Sequence, residues 1–204
     1  MIFPFFTSFL LLAIVVNIGM RRVSRKEEAL EEDFWARESR SNFVRKKSLE
    51  NLDYVHIPVD LLPFGTSGDN EVLKNAEEEL LLLKDEKIVN FTGITNTDLK
   101  LEYGTANITP LSQYDQNYTA LVRSLQAWGK ELYDLGRYED AQKVLEFAVK
   151  TRTDITATYR ILLDLYKTKL GLSEDEIKKK TDALIPIAKG LNSLSKNTIL
   201  KMLE

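Results

Sequence analysis

The side chains that could take part in catalysis are few and scattered. The chain has a single histidine, His56, and no cysteine. Histidine and cysteine are common bases, nucleophiles and zinc ligands, so no histidine-based catalytic set or zinc site can form around His56 from this chain alone. No glycine-rich phosphate loop and no metal-ligand spacing is present in the sequence. We therefore predict no enzyme, no cofactor and no metal site. Chemistry by carboxylate, tyrosine or lysine side chains stays open as an alternative.

The densest polar segment of the chain lies at positions 90–98. Its members are short side chains that favour turns and helix caps: Asn90, Thr92, Thr95, Asn96, Thr97 and Asp98. We interpret them as turn and cap residues, with Thr97 capping a short helix that ends at Gly104. The alternative is a site for a small polar ligand, although no nucleophile, base and orienting group can be recognised there.

Net charge limits the classes of partner. The chain carries a formal charge of −3, with both signs mixed along it. A dedicated nucleic-acid binder would have a basic surplus, so we predict no nucleic-acid partner. The absence of cysteine excludes disulfides and suits a reducing compartment.

The first twenty residues carry no charged side chain, and Arg21, Arg22, Arg25 and Lys26 follow at once. Eighteen apolar residues in a helix span roughly 27 Å, close to the ~30 Å hydrocarbon core of a bilayer. Residues 1–20 are therefore predicted to form a transmembrane helix in contact with the lipid bilayer. Basic residues stay on the cytoplasmic side, so we expect a single-pass protein of the cell membrane with its N-terminus outside and residues 21–204 in the cytoplasm.

A cleaved secretion signal is the main alternative for residues 1–20. Such a signal begins with basic residues and ends in a small-x-small cleavage site. Here the leading end is uncharged and the far end reads Asn17-Ile18-Gly19-Met20. The pattern therefore favours an uncleaved anchor.

Two segments connect the anchor to the rest of the chain. Residues 21–53 contain no glycine or proline and are rich in charged residues, which predicts a helical stalk. The stalk is either a solvated spacer with internal ion pairs or a segment that lies on anionic headgroups. In residues 54–68, alternating apolar residues and two prolines predict an extended strap on a domain surface. His56 is then a structural residue of this strap.

Helical periodicity dominates the remainder, so the predicted fold class is all-α. Asp69 is expected to cap a helix that reaches Lys84. From Gln113 to Gly136 an apolar stripe repeats every three or four residues, with Ser112 and Asp115 as a predicted capping box. Three more helices are predicted over residues 138–150, 155–170 and 173–190, and a short one begins at Ser195. The first of the three is expected to bury Ala141, Val144, Leu145, Ala148 and Val149. Ser173 and Glu176 are predicted to cap the third, and Pro186 to kink or shorten its last turns. We expect residues 54–204 to form one domain in which residues 113–204 are an antiparallel helical array.

The first part of this array resembles a tetratricopeptide repeat. The motif has a small residue where the first helix is crossed, here Gly129 after Trp128. A Gly-x-Tyr-x-x-Ala turn follows, here at positions 136–141, and a second small residue comes seven positions later, here Ala148. The match covers residues 122–155. The next segment has apolar residues at the expected spacing but Leu163 where the small residue belongs, and Thr153 replaces the closing proline.

The resemblance implies binding and not catalysis, because the first helix of each repeat lines a concave groove. By that geometry two helices line the groove. The first helix of the repeat contributes Arg123, Gln126, Lys130 and Tyr133, and the first helix of the next segment contributes Arg160, Asp164 and Lys167. Cations in such a groove suit an acidic or carboxylate-bearing segment of a protein partner. We therefore expect a membrane-anchored adaptor. The alternative function is a permanent structural subunit or assembly factor of a membrane complex. The alternative for the cations is that they form an ordinary solvated helix face without a partner.

Overall fold

The computed structural model describes the backbone of residues 3–204 and the side chains of Phe9, Leu11 and residues 15–204. In this part of the chain all regular elements are helical, which confirms the all-α class. The helices are α1 Phe3–Ser41, α2 Glu71–Leu83, α3 Asn96–Tyr103, α4 Ile108–Asp134, α5 Tyr138–Lys150, α6 Thr156–Asp164, α7 Glu174–Lys189 and α8 Lys196–Leu203. The extended backbone pairs at one isolated antiparallel bridge, between Tyr54 and Val89.

The chain divides into two compact units. The first contains Met1–Lys47 with Thr95–Ile108, and the second contains Ser48–Ile94 with Thr109–Glu204. Each unit is therefore built from segments that are distant in the sequence.

Polar contacts join α1 to α3 within the first unit. Glu38 accepts hydrogen bonds from Lys100 and from Thr97 Oγ1, the latter over 2.7 Å. Arg37 donates to Asp98 Oδ1 over 2.7 Å. The hydrogen bond from Lys100, followed by that from Thr97, holds the pKa of Glu38 below its ordinary value. These contacts fix the register between the two helices.

The end of α1 differs from the predicted stalk. The helix ends at Ser41, whose Oγ donates to the carbonyl of Glu38 over 2.7 Å, and residues 42–53 follow as turns and irregular backbone. A hydroxyl that bonds a carbonyl of the preceding turn competes with helix continuation. The predicted helix to Asp53 is therefore wrong beyond Ser41.

The predicted membrane span falls largely outside the described side chains, because those of residues 1–8, 10 and 12–14 are among the undescribed ones. Considering the described residues alone, no helix combines the length and the apolar character that crossing a membrane requires.

The cap of α3 lies two residues before the predicted one. Thr95 and Asp98 form a capping box, and Thr97 instead bonds Glu38. Gly104 ends the helix, as predicted, with φ +87°. A Cβ at this position would lie 2.5 Å from the carbonyl oxygen of Arg45, so close backbone approach as well as a positive φ requires glycine here.

The second unit has its core around α4. This helix begins at Ile108 and not at Gln113, since Pro110 falls in the first turn, where its missing N–H is not needed. The predicted capping box at Ser112 and Asp115 is consequently wrong, because both residues lie inside the helix. The predicted stripe from Tyr118 to Leu132 is buried, but Leu135 at its end is 51% exposed.

A close helix contact in this unit joins α4 to α5. A Cβ added to Gly129 would lie 2.4 Å from Leu145 Cδ2, a separation that real Cβ atoms do not show. Ala148 is fully buried on the same helix as Leu145. The predicted tight packing is confirmed at Gly129. The bounds of α5 are confirmed as well, and so are its five buried residues: Ala141, Val144, Leu145, Ala148 and Val149.

The three following helices complete the array. The helix predicted over residues 155–170 is α6, which continues as a π-helical turn over Leu165–Lys169. The capping box of Ser173 and Glu176 is confirmed at the start of α7. Pro186 lies inside α7 without shortening it, since the helix runs to Lys189, and Gly190 is its cap at the predicted end. Ser195 precedes α8 as predicted.

The strap packs on the core through three apolar residues. Ile57 and Leu62 are buried, and the ring centroid of Phe64 lies 4.8 Å from that of Trp128. Arg137 donates to the carbonyl and the hydroxyl of Thr66. After the strap, α2 is capped by Asn70, one residue after the predicted Asp69. The strap thus packs directly on α4 and on the turn that follows α4.

Gly129→Leu should destabilise the second unit, because no space exists between the Gly129 backbone and Leu145. We expect a loss of about 1–3 kcal/mol or more, measured by urea unfolding of the detergent-solubilised chain. Ala127→Leu, at an exposed position of the same helix, is the control and should change stability by less than about 0.5 kcal/mol. Leu145→Ala should partly rescue Gly129→Leu. Equal midpoints for Gly129→Leu and Ala127→Leu would show that α4 and α5 do not approach closely.

Candidate functional site

The residues predicted to line a groove lie on α4 and on α6 with its π-helical continuation. We call this surface the α4–α6 face and define it by Arg123, Gln126, Lys130, Tyr133, Asp134, Arg160, Asp164 and Lys167. Between these positions both helices place core residues, such as Trp128 on α4 and Tyr159 on α6, and these are fully buried. The residues of the α4–α6 face therefore lie on the sides of these helices that do not face the core.

Two side-chain hydrogen bonds connect α4 to α6 within the face. Thr158 donates to Gln126 Oε1, and Tyr133 donates to Asp164 Oδ2. The bond to Asp164 is the main reason why the pKa of Tyr133 rises to about 12, and the same bond lowers the pKa of Asp164. Of the predicted site residues, Gln126 and Tyr133 thus serve the helix–helix interface.

The four cations of the face remain exposed. Lys130 pairs with Asp134 one turn further along α4, where both side chains are at the surface. For Arg123, Arg160 and Lys167 no ion pair is found among the described residues. Four cations against two carboxylates leave the face with a positive balance, which favours a negatively charged ligand.

The polar segment at 90–98 is divided between the two units. Thr95 and Asp98 cap α3 in the first unit, which confirms their interpretation as cap residues. Asn90 belongs to the second unit, where its side-chain amide donates to Tyr118 Oη over 2.8 Å and to the carbonyl of Arg152 over 3.3 Å. Asn90 therefore holds the segment after α5 in place.

A cavity of about 540 Å³ in the second unit was not predicted from the sequence. It lies where the strap, residues 90–94, the turn after α5 and the turn before α8 meet. Its polar lining includes Asp53, His56, Thr92, Lys150, Arg152, Asp154 and Ser193. These positions are far apart in the sequence. Of the residues that line the cavity, Asn90 and Thr92 belong to the polar segment at 90–98, for which a small polar ligand was the alternative.

The turn after α5 contains an unusual residue for its conformation. The N–H of Arg152 donates to Val149 over 2.8 Å and that of Thr153 to Ala148 over 3.3 Å, which is the Schellman pattern of a helix C-terminus. Glycine usually occupies the left-handed position of this motif, but here it is Arg152, with φ +64°. The corresponding position after α4 is Gly136, with φ +74°. Left-handed backbone costs a non-glycine residue about 1–2 kcal/mol.

In the described part of the chain, no group of three or more histidine, aspartate or glutamate side chains is arranged to hold a metal ion. The chain matches no family model, and no match is found among curated proteins or solved structures.

Arg152→Gly should stabilise the protein, because glycine adopts the left-handed conformation without strain. The expected gain in the free energy of unfolding is about 0.5–1 kcal/mol, since the greater backbone entropy of glycine offsets part of the relief. The exposed Arg152–Asp53 pair, with 3.7 Å between its charged atoms, contributes little. The measurement is urea unfolding.

Gly136→Arg is the reciprocal variant at the matched position after α4, and it should lose about 1–2 kcal/mol. A loss of stability in Arg152→Gly and a gain in Gly136→Arg, or no change in either variant, would contradict the strained conformation of Arg152.

Proposed function

We propose that the protein is a membrane-anchored adaptor whose α4–α6 face binds an acidic or carboxylate-bearing segment of a protein partner. In this proposal residues 1–20 are the transmembrane anchor, residues 21–53 the connecting stalk, and residues 54–204 a cytoplasmic domain with a tetratricopeptide-like array. The observation that carries the proposal is the set of exposed cations on two helices whose relative position is fixed by side-chain hydrogen bonds.

The contacts within the face support a rigid binding surface. Gln126 and Tyr133 hold α6 against α4, so Arg123, Lys130, Arg160 and Lys167 keep their spacing before a partner arrives. A preorganised surface loses less entropy on binding. Arginine and lysine on such a surface can donate charge-assisted hydrogen bonds to carboxylates. The surface is therefore suited to a segment rich in aspartate or glutamate, or to a free C-terminus.

The packing of α4 on α5 supports the tetratricopeptide-like arrangement. In that family small residues permit a close helix crossing, and here Gly129 lies directly against Leu145. The turn between α4 and α5 has glycine at its left-handed position, Gly136. The close crossing at Gly129 and the glycine in the turn at position 136 are two features that the resemblance predicts, and both support it.

The proposed anchor is supported by the surface of α1. Large apolar side chains are exposed along its described part, namely Phe9, Leu11, Val15, Val16, Ile18, Met20 and Val23. Such a set is unfavourable in water and needs an apolar cover. The four cations after Met20 fit the cytoplasmic side of a bilayer. Attachment to a membrane raises the local concentration of membrane partners, so each contact with the α4–α6 face can be weak.

A permanent structural subunit is the second candidate function, and one observation favours it. Phe34 and Trp35 are adjacent on α1, with ring centroids 5.3 Å apart, and both are more than half exposed. Exposed neighbouring aromatic residues are frequent anchors of stable protein interfaces. They would then contact another subunit of a membrane complex.

Charge reversal tests the proposed face. The full chain is placed in liposomes of phosphatidylcholine and titrated with a fluorescent peptide of alternating glutamate and alanine. The double variant Lys130→Glu/Arg160→Glu should weaken binding by at least about tenfold, since carboxylates would then face carboxylates. A peptide with glutamine in place of glutamate should bind weakly to the unchanged protein. Thermal unfolding should hardly change, because exposed charges contribute little to stability.

The matched control is Lys178→Glu/Lys179→Glu, which makes the same charge change at exposed positions of α7. It should retain peptide binding. An equal loss in both double variants, or equal binding of the glutamate and glutamine peptides, would contradict a specific α4–α6 site. In the same preparations a chain without residues 1–20 should no longer float with the liposomes. Flotation that persists would remove the anchor from the proposal.

A further inference from the structure

The cavity at the end of α5 has the size and construction of a ligand site. Its volume of about 540 Å³ lies within the roughly 300–1,000 Å³ typical of small-molecule pockets. All its lining residues belong to the second unit. The cavity is therefore a feature of one folded body and is separate from the residues that define the α4–α6 face.

Hydrogen bonds hold the walls of the cavity in place. Asn90 bonds Tyr118 and the carbonyl of Arg152, and Tyr118 donates in turn to the carbonyl of Thr151 over 3.1 Å. On another side, Asn192 donates to the carbonyl of Gly93 over 3.1 Å. A Cβ at Gly93 would lie only 2.1 Å from the carbonyl oxygen of Asn192. The two loops that carry residues 90–94 and 190–193 thus approach as closely as their backbones permit.

Several polar groups of the cavity lack partners in the described part of the chain. No ion pair is found there for Lys150 or for Asp154, although both line the cavity. The hydroxyl oxygen of Ser193 is buried without a hydrogen-bond partner. Buried polar atoms without partners are costly and are often satisfied by a ligand or water. Arg152 also lines the cavity, and its backbone adopts the strained left-handed conformation there.

The charges of the cavity are balanced and its other half is apolar. Two cations, Lys150 and Arg152, line the cavity together with two carboxylates, Asp53 and Asp154. A simple anion would be repelled by the carboxylates, and a simple cation would be repelled by the lysine and the arginine. Apolar lining comes from Val55, Pro58, Leu61, Ile94, Phe147 and Leu191. Leu61 is 73% exposed and Ile94 is 42% exposed, so apolar surface remains uncovered at this site.

We propose that this cavity binds a small zwitterion with an apolar side chain, either a free α-amino acid or a peptide of two or three residues. The carboxylate of the ligand contacts Lys150 and Arg152, its ammonium group contacts Asp154, and its side chain packs on Leu61 and Ile94. This arrangement gives Lys150 and Asp154 each a partner of opposite charge. Binding here requires neither the α4–α6 face nor an acidic partner.

Isothermal titration calorimetry of the full chain in phosphatidylcholine nanodiscs tests the proposal with L-leucine and with L-leucyl-L-leucine. Tighter binding of leucine assigns a free amino acid, and tighter binding of the dipeptide assigns a peptide. N-acetyl-leucine lacks the positive charge and leucinamide lacks the negative charge. Both should bind at least about tenfold more weakly than leucine, because each leaves one charged group of the cavity unpaired. Diglycine, which lacks the apolar side chain, should also bind weakly.

Two variants connect each charge of the ligand to one residue. Lys150→Met should reduce the preference for leucine over leucinamide, because only Arg152 then remains for the carboxylate. Asp154→Asn should abolish the preference for leucine over N-acetyl-leucine. Lys179→Met and Asp182→Asn, at exposed positions of α7 outside the cavity, are the matched controls and should preserve both preferences. Arg152→Gly should weaken binding while the protein unfolds at a higher temperature, a combination that a damaged fold would not produce.

Three results would overturn the proposal. The first is the absence of binding heat for both zwitterions at concentrations on the order of 10 mM, where even a weak site with a Kd near 1 mM would be filled. The second is equal binding of leucine, N-acetyl-leucine and leucinamide. The third is unchanged charge preference in both cavity variants.

Discussion

The architecture of the second unit depends on the close approach of α4 and α5 at Gly129. Because this residue has no side chain, Leu145 can lie against the α4 backbone, and Ala148 is fully buried on the same helix. The next residue on α4, Trp128, is fully buried and packs against Phe64 of the strap. A larger side chain at position 129 would separate α5 from α4 and disturb the core that contains the strap, α2 and the later helices. The missing Cβ at Gly129 therefore lets α5, whose C-terminal turn lines the cavity, pack closely on α4.

The two proposed sites use different parts of this arrangement and have different chemistry. The α4–α6 face is formed by helix surfaces that project four cations, and the hydrogen bonds of Gln126 and Tyr133 fix its width. The cavity is formed by loops, and the turn after α5 is its centre. Its cations and carboxylates are equal in number, and it has an apolar half. A positively charged surface suits an acidic polypeptide, whereas a balanced cavity of limited volume suits a small zwitterion.

Local signals in the sequence predicted much of the helical structure, because caps and periodicity depend on neighbouring residues. The bounds of α5 and the Ser173–Glu176 box are examples. The start of α4 was predicted too late, since Ser112 and Asp115 fit a capping box that the longer helix overrides. The polar segment at 90–98 suggested a ligand site as an alternative, and Asn90 and Thr92 do line the cavity. The cavity as a whole could not be predicted, because its walls come from four separate segments and from the left-handed Arg152. Spacing predicted Gln126 and Tyr133 as groove residues but could not show that their side chains are engaged in hydrogen bonds with α6.

The fluorescence of Trp128 tests the central packing most directly. The chain contains only two tryptophans, Trp35 and Trp128, so Trp35→Phe leaves Trp128 as the single reporter. Its side chain is fully buried and its indole N–H has no hydrogen-bond partner among the described residues. We expect strongly blue-shifted emission that acrylamide hardly quenches, and a shift to longer wavelength with faster quenching when Gly129→Leu is added. Emission and quenching typical of a solvent-exposed indole in the Trp35→Phe protein would show that α4, α5 and the strap do not enclose Trp128, and would contradict this account.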